Sequence, residues 1–135
     1  MELEDFALAG VTVLVVDNEP EVLIVIKALL IQYQAEVIAA SNGEEGLAQI
    51  QLNKPDVIIS DIDMPWMDGY EFIREVRNLS SYRGGQTPAI AFTAFNRMED
   101  RSKAMEAGFQ LYLSKPVELD TLINAIAGMA VQVWH

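Results

Sequence analysis

Four short, largely apolar runs in this sequence each lead into a residue able to do chemistry. VTVLVV (Val11 to Val16) is followed by Asp17 and Asn18, and VIIS (Val57 to Ser60) by Asp61. AIAF (Ala89 to Phe92) is followed by Thr93 and Ala94, and QLYL (Gln110 to Leu113) by Ser114, Lys115 and Pro116. Carboxylates brought from two segments to one rim repel each other unless a cation lies between them, and hard oxygen donors suit Mg2+. Lys115 adds a second positive charge and Thr93 a hydroxyl. Such a rim can hold two or three anionic oxygens around an aspartate nucleophile, which is the equipment for phosphoryl transfer.

The positions of these residues follow from the elements between them. VTVLVV is β-branched and unbroken, as a strand buried on both faces of a parallel sheet must be. Asn18 is expected to cap the helix that follows and Pro20 to sit in its first turn. That helix is predicted to run to about Gln34 on a core face of Val22, Leu23, Val25, Ile26, Leu29, Leu30 and Tyr33. Strands are predicted at Glu36 to Ala40, Val57 to Ser60, Ala89 to Phe92 and Gln110 to Leu113. Helices are predicted at Glu44 to Leu52, Tyr70 to Leu79, Met98 to Ala107 and Val117 to about Val131, with DIDMPWMDG (Asp61 to Gly69) and Ser80 to Pro88 as loops. Five successive βα units imply an α/β fold, an open parallel sheet with helices on both faces, and such sheets place their sites beyond the carboxyl ends of the strands.

Composition narrows the function. At 135 residues the chain is one domain's worth of protein, and its 51% hydrophobic and 21% charged residues describe a globule rather than a disordered chain. There is no cysteine, which excludes disulfides, thiolate metal sites and cysteine nucleophiles. The one histidine is the last residue, His135, which argues against a His-based triad or a histidine phosphodonor and leaves no multi-His metal site. Nine Lys+Arg against 20 Asp+Glu give a net charge of −11, the wrong sign for gripping nucleic acid. The start Met-Glu-Leu-Glu-Asp lacks a basic leader and no apolar stretch is long enough to span a bilayer, so no membrane role and a cytoplasmic location are expected.

VVDNEP at the first strand, DIDMPWMDG after the third, TA after the fourth and YLSKP at the fifth together resemble the receiver domain of response regulators in two-component phosphorelays, of the CheY-like kind. The likeness covers about residues 11 to 130, with residues 1–10 as an N-terminal extension and 131–135 as a tail. It implies a flavodoxin-like doubly wound (βα)5 fold with five strands in the order 2-1-3-4-5. It implies Asp61 as phosphoacceptor, and Asp17, Asn18, Asp61 and the backbone carbonyl of Asp63 as holders of Mg2+. Thr93, Ala94 and Lys115 are the implied phosphate-stabilising residues, Thr93 and Tyr112 the switch, and Lys115-Pro116 a cis peptide. Partners so implied are a histidine kinase or histidine phosphotransfer protein and a downstream protein, with a possible homodimer through the first helix. Nothing follows the fifth unit except Ala130 to His135, so output is expected to be binding. AGFQLYLSKPVE also looks like receivers attached to hybrid histidine kinases.

Receivers commonly carry two acids after the first strand, and the second ligates the metal. Asn18 stands there in this chain, and it brings an oxygen without a charge. The alternative reading is therefore a pseudo-receiver serving as a phosphorylation-independent interaction module. An aspartyl-phosphatase is a minor alternative, since Asp61-Ile-Asp63 mimics a phosphatase Asp-x-Asp motif. Met64-Pro65 follow where that motif takes a small residue and Thr or Val.

The remaining groups have plainer readings. The side chains of Asp63, Asp68 and Glu71 read as solvated loop and helix N-terminus, Trp66 as a packing residue, and Met64 and Pro65 as loop-shaping. Phe95, by resemblance, shields the acyl phosphate from water. Arg97, Arg101 and Lys103 read equally as a solvated face or a docking patch. Ile24, Ala28 and Ile31 form an apolar stripe off the core face of the first helix, which the extension (Leu3, Phe6, Leu8), the tail (Val131, Val133, Trp134) or another protein is expected to cover.

Overall fold

The computed structural model describes residues 5–94 and 97–132. Five strands, β1 Thr12–Val16, β2 Glu36–Ala40, β3 Val57–Ser60, β4 Ala89–Thr93 and β5 Leu111–Ser114, alternate with five helices, α1 Pro20–Ile31, α2 Gly43–Asn53, α3 Gly69–Asn78, α4 Met98–Ala107 and α5 Leu119–Gln132. All strand pairs are parallel, and the order is β2-β1-β3-β4-β5, as the resemblance implies. Phe95, Leu3, Val133, Trp134 and His135 lie outside the described residues.

The unbroken apolar runs are explained by a sheet covered twice. In β1, Leu14 and Val16 join a layer with Ile50 of α2, Phe72 and Ile73 of α3 and Ala104 of α4. Val13 and Val15 face the other way, into a layer with Ile26 and Leu30 of α1 and Ile123 and Ile126 of α5. Neither face of the strand meets water, so polar alternation is absent. The register sets Val16 beside both Ala40 and Ser60, so Asp17 and Asp61 leave the sheet side by side at its carboxyl edge.

Helix α1 departs from its sequence reading in three ways. It ends at Ile31 rather than near Gln34, because Gln34 adopts φ 72 and Tyr33 and Gln34 close turns onto Leu30 O and Ile31 O. Its N-cap is Glu19, with no side-chain cap, and not Asn18. Pro20 at the first helical position removes one orphan donor, and the carboxylate of Asp17 takes the Glu19 N–H at 3.0 Å, so an Asn18 cap has little left to satisfy. Val25, expected in the core, is 55% exposed, because the helix turns only Ile26 and Leu30 fully onto the sheet.

The extension before β1 contributes to the core. Leu8 is fully buried in the layer under α1 and α5, and its N–H donates to Tyr33 O at 2.9 Å. Leu8→Ala is expected to destabilise the fold by about 2 kcal/mol, measured by urea denaturation; a change below about 0.5 kcal/mol contradicts a packed extension. Leu8 does not cover the α1 stripe, where Ile24 is 68% and Ile31 47% exposed.

At the amino edge of the sheet, Arg77 of α3 gathers the segments that enter β4 and β5. Its Nε donates to Gly108 O at 3.0 Å, Nη1 to Gly85 O at 2.9 Å and Thr87 O at 2.7 Å, and Nη2 to Gln110 Oε1 at 3.0 Å. Burial lowers its pKa from the ordinary guanidinium value, a desolvation cost that these four acceptors offset.

Candidate functional site

Two carboxylates and one amine meet where β1, β3 and β5 end. Asp17 is 2% and Asp61 6% exposed, and Lys115 Nζ reaches Asp17 Oδ2 at 2.9 Å and Asp61 Oδ2 at 3.4 Å. Burial works against the charge of the lysine, but the hydrogen bond to Asp17 and the field of Asp61 outweigh it and raise the Lys115 pKa. Because that pKa lies above the unfolded value, the stabilisation is fully present below pH 10.5 and fades only as pH rises through the raised value. Lys115 therefore stays a cation throughout the neutral range.

The loops after the strands orient the acids. Asp61 Oδ1 accepts the N–H groups of Ile62 at 2.7 Å and Asp63 at 3.3 Å, leaving Oδ2 toward Lys115. Asp17 Oδ1 is fixed by the Glu19 N–H, and Oδ2 again faces Lys115. The loop folds back tightly: Gly69 N–H donates to Ile62 O at 2.9 Å, and a Cβ on Gly69 would come 2.4 Å from Asp61 O. Only glycine permits that approach, so the Gly at the end of DIDMPWMDG sets the path of the chain under Asp61. Asp68 caps α3 through the Glu71 N–H at 2.9 Å, as its helix-terminus reading expects.

Thr93 is fully buried at the end of β4, Ala94 follows it exposed, and Thr93 O accepts the Lys115 N–H at 2.8 Å. Lys115-Pro116 is cis. Tyr112 is buried, and its Oη has no hydrogen-bond partner among the described residues. Burial, then Asp100, raises its pKa.

Asp17, Asp61 and Lys115 are thus brought into contact, and Thr93 joins them through its carbonyl. Asn18 and Asp63 stand exposed at the rim. Among the described residues no three His, Cys, Asp or Glu side chains form a metal-holding group. The donors that remain, two carboxylates, the amide oxygen of Asn18 and the carbonyl of Asp63, are all hard oxygens and fit Mg2+, though with one charge fewer than a three-acid site. Sequence reasoning missed the amides that aim the acids; the closing Gly69 was the one signal available for them.

Neighbouring features resolve the plainer readings. Of the three basic residues around α4, the N-cap Arg97 pairs with Glu99 and Asp100, each at 3.2 Å, and Lys103 lies 4.8 Å from the Tyr70 ring centroid, leaving Arg101 the least engaged. Trp66 is 95% exposed at φ 65, so it does not pack. An apolar groove of about 390 Å³ runs between α1 and the start of α5, lined by Val22, Val25, Leu29, Phe92, Pro116 and Val117.

Comparison with known proteins bears on the family and the fold. The sequence profile of the response regulator receiver domain matches residues 13–127. The chain is 40% identical over 119 residues to the 14.6 kDa protein in the sodA1 3'region of Leptolyngbya boryana, covering 88% of this chain and 89% of that one. It spans only 47% of a longer relative. Among solved structures it is similar to chemotaxis protein CheY4 of Vibrio cholerae (33% identity, TM-score 0.80, 90% of this chain and 98% of that one). It is also similar to the receiver domain of sensor histidine kinase PA1611 from Pseudomonas aeruginosa, solved with magnesium in the active-site cleft (29% identity, TM-score 0.82, 91% and 99%).

Proposed function

The chain belongs to the response regulator receiver domain family, and from that premise we propose that it accepts a phosphoryl group onto Asp61 from a phosphohistidine of a histidine kinase or phosphotransfer protein, then signals to a protein partner through its surface. The observation that carries this reading is the single lysine bridging two buried carboxylates at neighbouring strand ends. In the transfer an Asp61 oxygen forms a bond to phosphorus as the phosphohistidine N–P bond breaks, and the electron pair of that bond goes to the imidazole nitrogen. Oδ2 is the oxygen suited to attack, since Oδ1 already holds two backbone amides. Lys115, the Thr93 hydroxyl and the Ala94 backbone N–H then stabilise the phosphoryl oxygens. Asp17, Asn18, Asp61 and the Asp63 carbonyl would hold Mg2+, which when bound offsets the charge of the phosphoryl oxygens.

Tyr112 fits the role of switch. A buried hydroxyl without a partner carries a desolvation cost of about 1–3 kcal/mol, and turning the ring outward or supplying an acceptor relieves it. Tyr112 lies on β5, the strand that delivers Lys115 to Asp61 three residues later. A cytoplasmic setting suits a phosphorelay protein, and no helix among the described residues is long and apolar enough to cross a membrane.

The α1 stripe is the surface suited to the phosphodonor. Ile24, Ala28 and Ile31 are exposed on α1, whose Val22, Val25 and Leu29 line the groove that also takes in Lys115 and Pro116. A donor helix seated there brings its histidine to the acceptor, and each covered isoleucine gains on the order of 1.5 kcal/mol. Ile24→Glu with Ile31→Glu is expected to slow phosphotransfer from the kinase at least tenfold while small-molecule phosphodonors still label Asp61. Unchanged phosphotransfer refutes this docking mode, and loss of self-association alone reassigns the stripe to a homodimer.

The exposed, uncharged Asn18 favours a second reading, in which cation binding is too weak for phosphorylation and the domain is a constitutive interaction module. Intact mass after incubation with acetyl phosphate and Mg2+ separates the two.

A further inference from the structure

The charge at the strand ends is one acid short of a three-carboxylate metal site. Asp17 and Asp61 bring two negative charges, Lys115 returns one, and Asn18 adds none. Building on the reading that this site takes Mg2+, we propose that the Asp63 carboxylate supplies the missing charge, acting through the water around the ion rather than as a direct ligand.

Three observations carry the assignment. The Asp63 N–H lies 3.3 Å from Asp61 Oδ1, so standard covalent geometry keeps the Asp63 carboxyl carbon within about 7.5 Å of that oxygen in every rotamer. That is inside the screening length of about 10 Å at 0.1 M salt, so its charge is felt at the site. Ile62, 1% exposed, anchors the step between Asp61 and Asp63 in the core, so the loop does not carry Asp63 away. Asp63 itself is exposed and makes no ion pair among the described residues, which leaves its charge uncommitted. The absence of a three-acid cluster among the described residues argues against direct ligation. Mg2+ keeps several waters when bound by few carboxylates, and those waters are what an acid at this remove meets. Glu19 is the rival, tethered to Asp17 through its N–H at 3.0 Å. It stands at the N-cap of α1, where the helix dipole already engages its charge.

The test is a titration of the full chain with MgCl2, followed by backbone amide NMR shifts at residues 17–19 and 61–63, which reads binding without any phosphorylation. Asp63→Asn is expected to weaken Mg2+ binding about three- to tenfold, an effect that shrinks with added KCl as a through-water charge must. Asn18→Asp is expected to strengthen binding, the Asn18→Asp/Asp63→Asn pair to return toward wild type, and Glu19→Gln to change it less than Asp63→Asn. Wild-type affinity in Asp63→Asn, or an equal loss in Glu19→Gln, overturns the proposal. It is overturned as well if Asn18→Asp binds while the wild type does not, because Asp63 then compensates nothing. If neither protein responds at these residues, it is the Mg2+ reading of the site that fails, and a change on Asp61→Asn confirms that the ion is at this site.

Discussion

Asp61→Asn is expected to abolish the phosphorylated form completely, with no shift of the label to another acid. The asparagine oxygen can still accept the Ile62 and Asp63 N–H groups that Oδ1 accepts now, so the loop and fold should persist. What disappears is the anionic oxygen that faces Lys115. Asp17, the other buried carboxylate at this rim, is held closer to Lys115, 2.9 Å against 3.4 Å for Asp61, and is expected to stay unlabelled. Asp63→Asn keeps its backbone carbonyl and should still be labelled, at a higher Mg2+ concentration. Intact mass after acetyl phosphate treatment reads both variants beside the wild type. A labelled Asp61→Asn variant would move the acceptor elsewhere and undo the assignment.

The second large effect is on stability, at the opposite edge of the sheet. Arg77→Ala strands the carbonyls of Gly85, Thr87 and Gly108 and the side chain of Gln110. Gln110 also accepts the Ala89 N–H at 2.8 Å, so losing its partner loosens the entry to β4 as well as to β5. Hydrogen bonds to a charged donor are each worth about 1.5–3 kcal/mol, and water can reach part of this half-buried group, so a net loss of about 3 kcal/mol is expected. Urea denaturation measures it, and a loss below about 1 kcal/mol would mean that water replaces the guanidinium at little cost. The folded fraction should still accept phosphate at Asp61, since the clamp lies at the far end of the strands.

The strand ends were legible in the sequence because a doubly covered sheet writes itself as unbroken apolar runs, and whatever follows such a run emerges at the carboxyl edge. That logic places Asp17, Asp61, Thr93 and Lys115 at one rim from the sequence alone. Helix α1 was less legible. Its apolar residues surround the axis, so periodicity named Val25 as core while leaving Ile24 outside, and the structure exposes both. Asn18 looked like a cap by residue type, but capping depends on which carboxylate the turn already provides. Arg77 gave no sequence signal, since its acceptors, three backbone carbonyls and the Gln110 side chain, lie 8 to 33 residues away and only the tertiary fold assembles them. Leu8 was read only as one possible cover for the stripe; its burial under α1 and α5 depends on where Tyr33 ends the helix turn.

The central claim is that Asp61 takes a phosphoryl group with the help of a divalent cation despite Asn18. Intact mass spectrometry of the wild-type chain, incubated with acetyl phosphate and saturating MgCl2 or with EDTA, tests it most directly. Addition of one phosphoryl group with MgCl2 and none with EDTA is the predicted result. An unchanged mass with MgCl2, under conditions that label Asn18→Asp, would contradict it and identify the chain as an interaction module without phosphoacceptor chemistry.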